Sequence, residues 1–197
     1  MQPQKRNRLI AGGAVLLILV IWLVTSYNGF VNREEAVKKQ WSEVQNTYQR
    51  RLDLIPSLVN VVKGVSDFEQ TTLQQVAEAR SRALSGMSND ELSPENYEKQ
   101  KALQDSLGAS ANRMIVLIEK YPTLKGTKSY SDLQLQLEKT EFRIRVARND
   151  FNKAVYDYNR KVRSFPGNLV AGLFGFKKKT GFQADDGAEN KPGVKFK

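Results

Sequence analysis

The chain has 197 residues and carries 31 Lys plus Arg against 21 Asp plus Glu, a formal net charge of +10. That length allows one packed domain with appendages and excludes a large multidomain enzyme. The chain contains no His and no Cys, which excludes Ser/His/Asp triads, thiolate nucleophiles, disulfides and metal sites built on those two residue types.

An uncharged apolar run covers residues 9–27 and follows a basic flank at residues 1–8. As a helix the run extends roughly 25 to 29 Å, enough to cross a thin bilayer. Trp22 and Tyr27 stand near its end, where aromatic side chains favour the membrane interface. A cleaved signal peptide is the alternative, but the run is longer than a typical signal-peptide core and lacks an A-x-A cleavage motif. The pattern favours a single transmembrane signal anchor.

The excess positive charge is concentrated at the two ends of the chain. Lys5, Arg6 and Arg8 precede the span without an acid, and residues 177–197 are also rich in lysine, whereas residues 9–176 are nearly balanced. Because the bases in that central part alternate with acids, we expect a membrane surface as partner and no nucleic acid. The acid-free cluster beside the span favours a cytoplasmic N-terminus, with the soluble part on the extracytoplasmic side of the cell (inner) membrane.

A first amphipathic stretch follows the span. Between Val37 and Gly86 apolar residues recur at helical steps of three and four. Pro56 lies inside this stretch, where a proline either kinks a helix or ends it. Since the apolar stripe keeps its phase across Pro56, the pattern favours one long kinked helix up to Gly86 over a reversal of the chain.

Two further amphipathic stretches complete the soluble part. The second covers residues 94–121 and follows Ser93, whose hydroxyl suits an N-cap, while the third begins at Ser129 and continues to residue 165. No alternating strand pattern competes with the helical spacing. Three long arms that each carry one apolar stripe pack best as an antiparallel bundle.

A series of short motifs runs through these stretches. In chain order they are RRLDLIPSLV at residues 50–59, Tyr121-Pro122, Leu133-x-x-x-Leu137-x-x-x-Glu141, Ala147-Arg148-x-x-Phe151-Asn152, Phe165-Pro166, Phe182 and Val194-x-Phe196. Together they resemble the LemA family. The resemblance implies a bacterial single-span membrane protein with an all-α fold. The expected organisation is a transmembrane helix at residues 9–27, an up-and-down bundle of about four helices at 28–176, and a largely extended basic tail at 177–197.

The densest of these motifs surrounds Pro56. Because a kink frees backbone carbonyls and can present charged side chains, Arg50, Arg51 and Asp53 are candidates for contact with a partner protein. The alternative interpretation is a surface ion pair between Arg50 and Asp53, three residues apart, that fixes the kink.

Two charged residues occupy positions of the apolar stripe in the third stretch. Glu141 and Arg148 stand where leucine is expected, and a charge in the seam of a bundle is costly unless it is paired. We therefore expect a buried ionic network in which they pair with Arg80 or Glu69. Glu138 beside Glu141 does not make a metal site, because no second acidic pair accompanies it.

The segment at residues 168–176 is apolar and precedes a run of three lysines. One interpretation is a short helix that covers the end of the bundle. The other is a segment at the membrane surface, in which apolar side chains enter lipid beside basic ones. The candidate residues for that contact are Leu173, Phe174, Phe176, Lys177, Lys178 and Lys179.

The sequence leaves two classes of function open. The LemA family has no established catalytic activity, and the span, the bundle and the missing His and Cys favour a tethered interaction or scaffold module without a cofactor. The alternative is an enzyme or enzyme regulator in envelope proteolysis or cell-wall chemistry that uses Ser, Lys or carboxylates alone. The expected partners are the lipid bilayer and unidentified membrane or envelope proteins, in an oligomeric state that the sequence does not define.

Overall fold

The computed structural model describes residues 3–63, 69–87 and 93–183. Within these ranges every regular element is a helix, so the predicted all-α fold is confirmed. The side chains of the N-terminal basic cluster and the predicted motif Val194-x-Phe196 lie outside the described residues. The helices are α1 (Pro3–Val62), α2 (Gln70–Gly86), α3 (Pro94–Ile118), α4 (Pro122–Lys125), α5 (Lys128–Arg163) and α6 (Gly167–Phe174).

Helix α1 is both the candidate membrane span and the first helix of the bundle. Its N-terminal part is long and apolar enough to cross a membrane, and the side chains of residues 10–21 are exposed. From Phe30 onward the same helix buries only one face. That buried stripe, at helical spacing, consists of Phe30, Val37, Trp41, Val44, Tyr48 and Leu52.

Helix α1 passes through Pro56 without ending there. A proline has no N–H, so the carbonyl of Leu52, four residues earlier, loses its partner within the helix. Arg80 of α2 replaces that donor, with its Nε atom 3.0 Å from the Leu52 carbonyl oxygen. A neighbouring helix therefore supplies the hydrogen bond that the proline removes.

The predicted continuation of the first helix up to Gly86 is wrong. Helix α1 ends at Val62, and α2 begins at Gln70. The hydrogen bond from Arg80 to Leu52 shows that α2 runs back along α1. Helical spacing does not reveal this reversal, since both arms of a helical hairpin need an apolar stripe. The three predicted arms are thus four long helices, in agreement with the bundle of about four that the resemblance implies.

The four long helices run up, down, up and down. Arg113 of α3 donates to Gln75 of α2 at 3.0 Å, and Arg148 of α5 donates to Tyr48 of α1 at 2.9 Å. The single turn α4 joins α3 to α5. Ser93 caps α3 as predicted, whereas α5 is capped by Thr127 and begins one residue before the predicted Ser129.

Three apolar clusters fill the bundle at increasing distance from the span. The first joins α6 to α1 around Phe30, Val170 and Ala171. The second surrounds Trp41 and Phe151, and the third occupies the far end. A polar layer lies between the second and third clusters and contains Arg51, Glu141 and Arg148, three of the charged residues that the sequence analysis singled out.

Candidate functional site

Arg51 forms the centre of the polar layer. Its side chain is inside the bundle, and the residue is only 3% exposed. One guanidinium nitrogen, Nη1, donates to the backbone carbonyl of Gln104 at 2.7 Å, and Nη2 donates to the carboxylate of Glu141 at 2.5 Å. This one side chain therefore connects α1 with α3 and α5.

Arg148 makes a second set of connections one level closer to the span. Its Nε atom donates to the Tyr48 hydroxyl at 2.9 Å, and Nη2 donates to Asp105 at 2.8 Å. Its guanidinium also lies over the rings of Tyr48 and Phe182. Burial raises the pKa of Tyr48, and the positive charge of Arg148 opposes part of that rise. The Tyr48 hydroxyl therefore stays protonated and available as an acceptor at neutral pH.

The predicted pairing of the stripe charges is wrong. Glu141 pairs with Arg51, and Arg148 pairs with Asp105. Glu69 is exposed in front of α2, and Arg80 is committed to the Leu52 carbonyl. The structure thus brings two of the four predicted network residues into ion pairs, but with partners on α1 and α3.

The candidate partner motif near Pro56 is divided between the interior and the surface. Arg51 is buried, whereas Arg50 and Asp53 are exposed. Arg50 donates to Gln136 of α5 at 3.1 Å, and Asp53 accepts from Gln49 at 2.7 Å, so the contacts differ from the predicted Arg50–Asp53 pair. A signal for burial was present in the sequence, because Arg51 stands three residues after Tyr48, in phase with the apolar stripe.

Residues 179–183, here called the strap, lie extended along the bundle after α6. Asn159 of α5 binds both backbone groups of Lys179, donating to its carbonyl at 2.7 Å and accepting from its N–H at 2.8 Å. Asn152, one heptad earlier, binds Phe182 in the same way at 3.1 and 2.8 Å. The Tyr97 hydroxyl donates to the Thr180 carbonyl. The repeated aromatic-Asn pair at residues 151–152 and 158–159 is the sequence signal for this contact.

Removing both asparagine side chains is expected to release the strap. In Asn152→Ala/Asn159→Ala, the amides of Lys179 and Phe182 lose their acceptors, and we expect their hydrogen exchange to become faster by about tenfold. Exchange at Ile144 in the core of α5 stays unchanged. Asn149→Ala removes an exposed asparagine from the same helix and is the control. Unchanged exchange at Lys179 and Phe182 would show that the two asparagines do not hold the strap.

The strap borders a polar groove of about 420 Å³ beside the charged layer. Both of its carboxylates, Asp105 and Glu141, already accept hydrogen bonds from arginines. Among the described residues, no cluster of three acidic side chains is placed to hold a metal ion. The groove is lined by Arg51, Lys101, Asp105, Glu141, Ile144, Arg145, Arg148, Asn149, Asn152, Phe182 and Gln183.

Helix α6 and its flanks lie where the bundle meets the apolar run of α1. Phe174 contacts the Tyr27 ring at 5.0 Å between centroids, and Phe176 stacks on Phe30 at 4.8 Å. Leu173 is exposed. Helix α6 therefore covers the end of the bundle, as the first interpretation predicts, and it also presents apolar surface outward.

The three lysines after α6 differ in their surroundings. Lys177 and Lys178 are exposed. Lys179 pairs with Glu34 at 2.8 Å and lies over the Tyr158 ring, so its charge is used within the protein. Of the predicted membrane-contact residues, Leu173, Lys177 and Lys178 are presented outward, whereas Phe176 is half-buried against α1.

Comparisons with known proteins agree with the sequence motifs. A family model described as the LemA family matches residues 40–196. Magnetosome protein MamQ 2 of Paramagnetospirillum magneticum is 25% identical over 186 residues, which cover 85% of this chain and 68% of that protein. Magnetosome protein MamQ of Magnetospirillum gryphiswaldense is 24% identical over 181 residues, covering 83% and 66%. Protein LemA of Metamycoplasma hominis is 25% identical over 163 residues, covering 79% and 71%.

Proposed function

Because the chain belongs to the LemA family, we propose that it is a membrane-tethered, non-catalytic interaction module of the bacterial envelope. The observation that carries this proposal is the continuity of α1, a single helix of 60 residues from Pro3 to Val62. A helix that continues from an apolar run into a bundle has no flexible linker between them. The bundle is therefore held at a fixed height and tilt on its membrane, as a scaffold requires.

The polar layer supports a structural role for the charged residues. Arg51 and Arg148 are directed at Glu141 and Asp105 on neighbouring helices. A catalytic site needs groups that converge on a space where substrate can bind. Here the carboxylates are used by arginines of the same bundle, which favours the interaction module over an enzyme that works with carboxylates and lysines.

The outward face of α5 supports contact with a partner protein. Leu135 is 49% exposed, Phe142 is 60% exposed and Val146 is 41% exposed. Their spacing of seven and four residues places them on one side of the helix. Arg50, a candidate partner residue, lines a groove of about 490 Å³ on the same side together with Phe142. Several exposed apolar side chains on one face are typical of a protein contact surface.

A photo-crosslinking amino acid tests this role in intact cells. We expect placement at Phe142 and at Val146 to capture the same membrane or envelope protein. Val116 on α3 is the matched control, since it is equally exposed and apolar but belongs to another helix. Absence of any adduct at residues 142 and 146 across growth conditions would refute the interaction role, as would identical adducts from all three positions.

We place the bundle on the extracytoplasmic side of the membrane, with a cytoplasmic N-terminus. The acid-free basic cluster before the span supports this orientation. The chain contains no Cys, so Phe142→Cys introduces a unique thiol. We expect a membrane-impermeant maleimide to label it in intact spheroplasts; labelling only after lysis would reverse the orientation and leave the interaction role standing.

A further inference from the structure

Helix α6 has one polar side chain, Asn168, and its other residues are apolar or glycine. Gly167, Val170 and Ala171 are buried against the bundle. On the outward side Leu169 is 61% exposed and Leu173 is 71% exposed. A helix that is apolar on both sides is typical of a buried element or of one in contact with lipid. The bundle covers one side of α6, and within the described residues the other side is left open.

The position of α6 identifies what covers the open side. The cluster that holds α6 to the bundle includes Trp22, which belongs to the apolar run of α1. Phe174 packs on Tyr27, at the end of that run. Since α1 is continuous, α6 lies at the height where the span leaves the bilayer. Phe165, which precedes α6 and is 80% exposed, adds to the same apolar surface.

The charged residues that flank α6 in the sequence are all positive. Residues 158–184 contain six Lys and Arg and no Asp or Glu. Arg163, Lys177 and Lys178 are exposed on either side of the helix. Exposed apolar side chains flanked by basic ones form the pattern of a segment that lies in a membrane interface and contacts anionic headgroups.

We propose that residues 163–178, here called the foot, insert into the leaflet from which the span emerges. Leu169, Leu173 and Phe165 enter the acyl boundary, and the flanking bases contact anionic lipid headgroups. This inference rests on the membrane tether of the proposed function and extends it. A continuous span sets the height of the bundle but leaves it free to roll about the axis of α1, whereas a span and a foot together fix which side of the bundle faces the bilayer.

The experiment uses the full chain in lipid vesicles, with an environment-sensitive fluorophore on a single introduced cysteine. Leu173→Cys reports on the foot. Leu16→Cys, within the apolar run, is the lipid reference, and Leu135→Cys on α5 is the water reference; all three leucines are exposed in the structure. We expect residue 173 to resemble residue 16, with blue-shifted emission that a lipid-borne quencher reduces. Circular dichroism confirms that each variant is folded.

The reference positions separate failure of the foot from failure of the tether. If residue 16 is in lipid and residue 173 behaves like residue 135, the foot is refuted and the tether stands. If residue 16 is also in water, both proposals are refuted.

A charge-removal pair tests the headgroup contact. Lys177→Gln/Lys178→Gln is compared with Lys120→Gln/Lys125→Gln, which removes two exposed lysines at the far end of the bundle. In vesicles with anionic lipid, the first variant is expected to lower the ratio of inserted to free foot by about fivefold per lysine. The second variant leaves that ratio unchanged. Equal insertion in anionic and zwitterionic vesicles would refute the headgroup contact.

Discussion

Glu141→Leu is expected to lower the free energy of unfolding by about 3 kcal/mol, because it leaves a buried guanidinium without its counterion. Arg51 is only 3% exposed, so little water reaches its guanidinium to replace the carboxylate. Arg51→Met is expected to lower the free energy of unfolding less, by about 1 to 2 kcal/mol, although it removes the donor of the hydrogen bonds to Gln104 and Glu141. The difference arises because the Glu141 side chain is 43% exposed and becomes hydrated when Arg51 is lost.

Urea unfolding of the full chain in detergent, followed by circular dichroism, measures these effects. The double variant Arg51→Met/Glu141→Leu removes both charges and is expected to recover much of the loss. Glu138→Leu is the control, since it removes an exposed carboxylate from the same helix. If Glu141→Leu is as stable as the unmodified chain, Arg51 does not depend on this ion pair.

Arg80→Ala is expected to lower the free energy of unfolding by about 2 kcal/mol, because the Leu52 carbonyl loses the guanidinium that donates to it. Leu52 is fully buried, so water does not take the place of the guanidinium. Arg82→Ala removes an exposed arginine from the same helix and is expected to change stability by less than about 0.5 kcal/mol.

A double-mutant cycle with Pro56 tests the cause of this effect. Pro56→Ala restores an N–H that can donate to the Leu52 carbonyl within α1. In that background the cost of Arg80→Ala is expected to fall by about 1 kcal/mol or more. Equal costs of Arg80→Ala with proline and with alanine at position 56 would mean that Arg80 acts through packing and does not replace the missing backbone donor.

The limits of helix prediction are clear at the first turn of the bundle. The apolar phase across Pro56 correctly indicates that α1 continues, since an amphipathic stripe reports on local backbone geometry. The same phase fails to indicate the end at Val62, because α2 carries a stripe of its own and packs back on α1. The proline is tolerated because Arg80, 28 positions away from Leu52, donates to the Leu52 carbonyl that the proline leaves without a partner.

For the charged residues, too, the sequence predicted part of the arrangement and missed the rest. Their positions on the apolar stripe correctly predict that Glu141 and Arg148 are paired within the bundle. The partners were missed because Asp105 lies on α3, and the spacing within one helix does not show which helix is its neighbour. Asn152 and Asn159 were also missed, because the repeated aromatic-Asn pair marks their positions but does not show which backbone groups they bind.

The sequence by itself determined the apolar run, the helical class of the chain, its family motifs and the absence of His and Cys. These are properties of composition and of spacing along one helix, so they do not require knowledge of which elements meet. Only the tertiary structure decided that Arg51 is buried and that the strap is bound by two asparagines. It also decided that Arg80 donates to the carbonyl that Pro56 leaves without a partner in the helix. Each depends on side chains far apart in sequence that pack at one level of the bundle.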